Sequence, residues 1–474
     1  MNRAVSAKKE NQTPAGEPAA ARPSVGPKRP RPLLHWALLA LPTLAAFGPY
    51  LSFIPGRPQM PYLYRILVVT LVIPAFATFR RADWRSHVPP RLFLAFVAIW
   101  CIWSPWTILW TPDRAAGLRQ VVGATICIIA ALVVLVLSGA SDEGTTTLRN
   151  GYTVAFVATG VVSIWELLSG SHLAALVGQP VRFRPRVITS TFYNPNNYAG
   201  FVLACSAALI VGAILARSVR ARLAYLGLLA LASIFVLMTN SRGAALGEAT
   251  IVAVAIVWAV RKNASNHMKR LLTIAAVPVL IIGGVSLANP NGFLAARLLG
   301  PFEEPSNAAS DQLRARLTEL GIKYFFESKF RGTGAGSFVS VVTADPNARV
   351  IADTNPHNTF VEIAALYGIA LALPFALLCL VLVAMAIGLR QRVRSTKKSS
   401  ILRVQLGLSL IAMFAAGVTA STLLAEPTWW LLIGYATALA WRLSRELRAS
   451  GQVTSSNFRK RIFPLRKRLN QGAR

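Results

Sequence analysis

Thr354-Asn-Pro-His-Asn-Thr-Phe-Val-Glu-Ile-Ala-Ala-Leu-Tyr-Gly368 opens an apolar run that continues to Leu389. About 20 apolar residues carry an α-helix across the ~30 Å hydrocarbon core of a bilayer. The run Thr359–Leu389 is longer than that and reads as a tilted or projecting membrane span. Pro356 lacks a backbone N–H and favours a helix boundary. His357 and Asn358 therefore fall at the mouth of the span, where water meets membrane.

The rest of the chain repeats the pattern. Of its 474 residues 54% are hydrophobic and 14% charged, and the apolar residues come in blocks separated by short basic clusters, which is the signature of spanning helices. Twelve or so spans are expected, within Leu33–Phe53, Tyr62–Phe79, Leu92–Trp110, Val121–Leu137, Gly151–Leu168, Asn197–Ala216, Arg222–Thr239, Gly243–Val260, Leu271–Ala288, Thr359–Leu389, Leu402–Ala425 and Pro427–Leu447. The predicted fold class is all-α: a polytopic membrane protein whose one long outer loop carries a short helix. Residues 1–32 read as a disordered cytoplasmic tail, 33–288 as the first nine spans, 289–358 as the outer loop, 359–447 as the last three spans and 448–474 as a basic cytoplasmic tail. No apolar core followed by a cleavage site marks a removable leader. All four cysteines lie in apolar runs and imply no disulfide framework.

A net charge of +32 would suggest nucleic acid in a soluble chain, but here its placement matters more than its total. With the N-terminus inside, most Lys and Arg residues fall on the cytoplasmic side, as the positive-inside rule requires, and meet anionic membrane lipid there. The informative cations lie on the other side: Arg114 and Arg119; Arg182, Arg184 and Arg186; Arg242; and seven in the long loop, among them Arg314, Arg316 and Lys323. An anionic ligand is one reason for their position.

Four polar groupings share that side. Asn194-Pro-Asn-Asn-Tyr198 opens the sixth span, with amides able to cap the helix or bind hydroxyls. Asn240-Ser-Arg-Gly243 is a short turn that holds Arg242 at the membrane edge, as a phosphate fork or a snorkelling anchor. A helix N-capped by Ser310 puts Leu313, Leu317, Leu320 and Tyr324 on one stripe and Arg316 and Lys323 on another, then runs into Arg331-Gly-Thr-Gly-Ala-Gly-Ser-Phe338. Those glycines follow no strand and precede no lysine, so they make a tight turn rather than a nucleotide loop. The fourth grouping is His357 and Asn358 with Glu362 about one turn on, suited to acid–base or hydrogen-bonding work. No zinc-spaced His/Cys cluster and no nucleophile elbow appear.

Together these motifs resemble the O-antigen ligase and polymerase superfamily, which includes exopolysaccharide polymerases and oligosaccharyltransferases that modify pilin. The resemblance rests on Asn194-Pro-Asn196, Ser241-Arg-Gly243, the arginine-led lid helix with its glycine turn, and Pro356-His-Asn358 with nine residues before Gly368, over roughly residues 190–375. Departures from the ligase pattern are Leu371, Thr318 and Lys329, which leave the ligase and polymerase branches both open. The resemblance implies a GT-C-like glycosyltransferase of the bacterial inner membrane with both termini cytoplasmic and a periplasmic active site. Its donor would be an oligosaccharide on undecaprenyl pyrophosphate, and its acceptor lipid A-core or a growing polysaccharide. No metal, cofactor or nucleic acid is implied, while other polysaccharide-assembly proteins are expected as partners. In this reading Arg242 and Arg314 or Arg316 hold the pyrophosphate, Arg182, Arg184 and Arg186 recruit it, His357 with Asn358 handles the acceptor hydroxyl, and Asn194, Asn196 and Glu362 support the site. A flippase of lipid-linked glycans is the alternative, but it would need more charge within its spans than Arg65, Glu166, Glu248 and Glu362 supply. A receptor or assembly scaffold, a third class, would need no histidine at the mouth.

Overall fold

The computed structural model describes residues 32–51, 62–176, 187–261, 305–348, 355–388, 396–420 and 422–450. The principal helices are α1 (Pro32–Phe47), α2 (Leu63–Arg81), α3 (Val88–Trp106), α4 (Arg114–Gly139), α5 (Asp142–Ser169), α6 (Pro195–Leu215), α7 (Val219–Met238), α8 (Arg242–Arg261), α9 (Pro305–Glu327), α10 (Phe338–Ala344), α11 (Thr359–Tyr367), α12 (Ile369–Ile387), α13 (Lys397–Thr419) and α14 (Pro427–Ala449). Among the described residues nine helices are long and apolar enough to cross a membrane, and the chain is an all-α, multi-pass membrane protein. The expected ninth span, Leu271–Ala288, and Arg182, Arg184 and Arg186 lie outside the described residues.

The bundle is built around α6 and α14. α6 is apolar on every side and is buried almost throughout, as a helix without a polar face must be. α14 carries four charges near its C-terminal end, yet residues 427–443 are buried. It lies so close to α4 that a Cβ at Gly434 would sit 2.3 Å from the Ala131 carbonyl. The outer helices instead turn Val69, Ile73, Leu246 and Leu380 outward, the side that a bilayer would solvate.

Polar links gather at the two ends. At one, Arg442 pairs with Asp142, Lys398 reaches Asp142 at 3.0 Å and Glu446 at 3.1 Å, and Arg445 donates to the Gly139 carbonyl. At the other lie the α3–α4 corner, the start of α6, the α7–α8 turn, α9 to α11 and the α13–α14 corner. A span length of 28 residues for α5 corrects the expected start at Gly151. Ser141 caps the helix by accepting from Gly144 N, so the span begins two turns earlier and takes Arg149 into the bundle.

Two further corrections concern the long loop and the span after it. α9 starts with Pro305 in its first turn, where a missing N–H costs nothing, so Ser310 is inside the helix and not its cap. Of the expected apolar stripe, Leu317, Leu320 and Tyr324 are buried while Leu313 is exposed. The expected long helix from Thr359 is broken at Gly368 into α11 and α12. Gly368 has φ +70°, and its Cα faces the glycine turn: Ile369 N donates to the Phe330 carbonyl at 2.8 Å, and Gly334 N to Leu366 O at 3.0 Å. Gly332, at φ +85°, completes the interlock.

A side chain at Gly368 would place Cβ 2.3 Å from the Phe330 carbonyl oxygen in a left-handed conformation. Gly368→Ala is expected to cost about 1–3 kcal/mol or more, read as a lowered thermal midpoint of the detergent-purified chain. Gly227→Ala, which meets nothing within 4 Å, is expected to leave that midpoint unchanged or raise it slightly.

Candidate active site

His357 sits just outside α11 with φ +52°, a conformation costly for a residue with a Cβ. Its neighbours hold it there. Thr318 of α9 donates to the Pro356 carbonyl at 3.2 Å, and Asn358 accepts from Phe360 N and Val361 N at 3.1 and 3.3 Å, capping α11. α9 lies directly over this turn, since a Cβ on Gly321 would touch Val361 at 2.6 Å. The imidazole is half-buried and its Nδ1 is buried without a hydrogen-bond partner among the described residues. Desolvation, aided by the positive charge of Arg314, lowers the His357 pKa from 6.5 to about 4, so the ring is neutral at pH 7.

The two lid arginines differ in what surrounds them. Arg316 bonds Glu319 at 2.8 Å and the Asn347 carbonyl at 3.1 Å, while Lys323 bonds Asp345 at 2.7 Å. Arg314 is half-buried, and its field reaches His357.

Arg242 reaches the same end from another direction. It is the first residue of α8, and a Cβ on Gly243 would lie 2.0 Å from the Thr419 methyl at the end of α13. One turn on, Thr422 donates to the Glu362 carboxylate at 2.9 Å, and Gly417 accommodates the Phe360 ring. Arg242 and the His357-bearing turn of α11 therefore both dock on residues 417–422. The opening of α6 meets this corner as well: a Cβ at Gly200 would touch Ala416 at 2.8 Å, and Asn197 hydrogen-bonds Glu426. Asn194 accepts from Asn196 N at 2.8 Å, so this pair forms the helix cap.

Sequence reading counted Glu166 only as a charge within a span and gave it no part in shaping the approach to Asn194. Glu166, buried near the end of α5, accepts from Thr189 N at 2.8 Å, Ser190 N at 2.7 Å and Thr189 Oγ1 at 3.1 Å, and it lies 3.3 Å from His172 Nδ1. Ile188 N then donates to Met238 O, bringing this loop to the turn before Arg242. A glutamate within a span and a histidine six residues on were the available signal. Buried polar atoms without partners among the described residues recur at this end, at Thr191 Oγ1, Ser241 Oγ and Thr359 Oγ1 as well as His357 Nδ1. Such atoms are rare in folded proteins and suit a ligand bearing hydroxyls or phosphates. No three His, Cys, Asp or Glu side chains among the described residues come together as metal ligands.

No curated protein matches the chain. Residues 226–376 match the family described as O-Antigen ligase, a segment containing Arg242, Arg314, Arg316, His357, Asn358, Glu362 and Gly368. The matched segment is similar to that family and supports the resemblance to the O-antigen ligase and polymerase superfamily seen in the motifs.

Proposed function

We propose that the protein is a glycosyltransferase that moves an oligosaccharide from undecaprenyl pyrophosphate to lipid A-core or a growing polysaccharide at the outer face of the bacterial inner membrane, with no metal in the reaction. The observation that carries this reading is the shared seat of Arg242 and the His357 turn on the α13–α14 corner, with Arg314 beside His357. The acceptor hydroxyl attacks the anomeric carbon in line with the departing pyrophosphate. A new C–O bond forms, the sugar–phosphate C–O bond breaks, and the hydroxyl proton passes to a ring nitrogen of His357. Charge grows on the leaving pyrophosphate, and Arg242 and Arg314 stabilise it in a partly dry site. Arg182, Arg184 and Arg186 recruit the donor, Arg316 fixes the lid through Glu319 and Asn347, and Asn194, Asn196, Asn358 and Glu362 hold the helix ends around the site.

A groove of about 900 Å³ among the described residues supports a lipid donor. It runs between α8, α12 and α13 from Gly243 past Val254 and Leu410 to Arg403. The groove is mainly apolar and begins one residue from Arg242, as a polyprenyl chain attached to a pyrophosphate requires. The alternative of a flippase fits less well, because the buried carboxylates Glu166 and Glu362 have protein hydrogen-bond donors and do not line this groove.

Arg314 gives donor binding a second effect. In the free protein desolvation and, second to it, the Arg314 charge keep His357 weakly basic, and a pyrophosphate beside Arg314 offsets the second of these, raising the basicity of His357 when the proton must be taken.

His357→Ala is expected to lower transfer by about 10²–10⁴-fold, and Arg242→Ala by about 10²–10³-fold, with purified lipid-linked donor. Full turnover in both variants would sink the assignment. Arg314→Ala is expected to lower transfer more than Arg316→Ala, whose main effect should be on thermal stability. The acid limb of kcat/KM should fall near pH 4 and that of kcat at a higher pH, because only the latter reports the donor-bound state. For stability, the lowered His357 value means that its contribution is complete above pH 6.5 and is lost as pH falls to about 4, readable as a falling thermal midpoint across that window. In a deletion strain, loss of long chains on the lipid carrier marks a polymerase, and carrier-bound long chains that never reach an acceptor mark a ligase.

A further inference from the structure

At the end of the bundle opposite His357, α5, α13 and α14 enclose another cavity of about 350 Å³, within the size range of small-ligand sites. We propose that this cavity binds a phosphate group, at a site separate from the transfer site. The central observation is Arg149. It lies two turns beyond Asp142, about 10 Å along the axis at 1.5 Å per residue, and only 8% of it is exposed. Its Nε is buried with no hydrogen-bond partner among the described residues, and its Nη2 donates to Asn150 Oδ1 at 3.2 Å. Among the described residues no carboxylate pairs with it. A cation at this depth without a counter-ion points to a ligand or pathway.

The remaining lining favours an anion. Asp142 is already engaged by Arg442 and by Lys398, and Lys398 also bonds Glu446. That leaves Arg149 and the exposed Lys397 as cations of the cavity without an acidic partner among the described residues. α5 and α13 both begin at this rim, capped by Ser141 and Thr396, and their first N–H groups add partial positive charge. Leu215, Ile401 and Leu402 form an apolar wall, which suits a phosphate carried on an apolar ester. A membrane phospholipid headgroup and inorganic phosphate share the required chemistry, and experiment can separate them.

The test uses the full chain in neutral detergent. Phosphatidylglycerol retention is measured by native mass spectrometry, and inorganic phosphate binding by equilibrium dialysis. Arg149→Gln and Lys397→Ala are each expected to weaken binding about tenfold or more, and Arg85→Gln, an exposed cation at the same end, to leave it unchanged. Lipid retention that depends on Arg149 and Lys397 identifies a headgroup site, and phosphate binding with that dependence identifies a soluble source. Lipid held equally well by both variants belongs to another site and overturns the proposal, as does failure to bind either probe. If Arg149→Gln does not purify, Lys397→Ala at its exposed position still decides the outcome.

Discussion

The corner between α13 and α14 is the contact on which the arrangement depends. Three segments far apart in sequence press on the stretch from Ala416 to Thr422: Gly200 of α6 against Ala416, Phe360 and Glu362 of α11 against Gly417 and Thr422, and Gly243 of α8 against Thr419. At Gly200, Gly243 and Gly417 the approach is so close that an added Cβ would force the neighbours to shift, and close-packed interiors transmit such shifts rather than absorb them. Arg242 and His357 have no reason in their own helices to be neighbours. They share one end of the bundle because their helices share this seat.

A second interlock sets the direction in which the histidine is offered. Trp103 donates to the Tyr367 carbonyl at 2.8 Å and Trp110 to the Gly332 carbonyl at 3.1 Å, while Thr111 bonds Ala335 O at 2.8 Å. The glycine turn is thus wedged between the α3–α4 corner and the break at Gly368. Arg331 stacks over Trp110, its guanidinium carbon 4.9 Å from the ring centre. A short, rigid connection from the lid to two membrane helices lets α9 lie over the Pro356 turn, and the backbone strain at His357 persists because all its surroundings agree on it.

The two ends of the bundle use charge in opposite ways. Around His357, cations stand beside a neutral ring and several unpaired polar atoms, an arrangement open to an anion. At the far end Asp142 is shared between Arg442 and Lys398, which ties α5, α13 and α14 together. Ion pairs of this kind tie helices together and are not by themselves a sign of function, and Arg149 differs because it is left out of the web.

Much was readable directly. Blocks of about 20 apolar residues have no stable alternative to spanning helices, so the all-α membrane class followed from composition and block length, and the resemblance to the O-antigen ligase and polymerase superfamily from Ser241-Arg-Gly243, the glycine turn and Pro356-His-Asn358. Asn194 was readable as a cap or a hydroxyl ligand, whereas Asn358, read as a partner of His357, also caps α11. What could not be read was anything decided by contact between distant helices. Gly368 was marked as part of the histidine motif, but the helix break it makes in the long apolar run appeared only with the Phe330 carbonyl against its Cα. Arg314 and Arg316 are two residues apart on one helix, and only the position of Asn347 and of His357 distinguishes their surroundings. Arg149 seemed to precede its span because a single charge looks like a boundary, whereas the Ser141 cap and the buried cavity place it inside. Local pattern determines where helices form, because each one satisfies its own backbone. Which faces meet, and so which charges are left without partners, depends on packing that no single segment encodes.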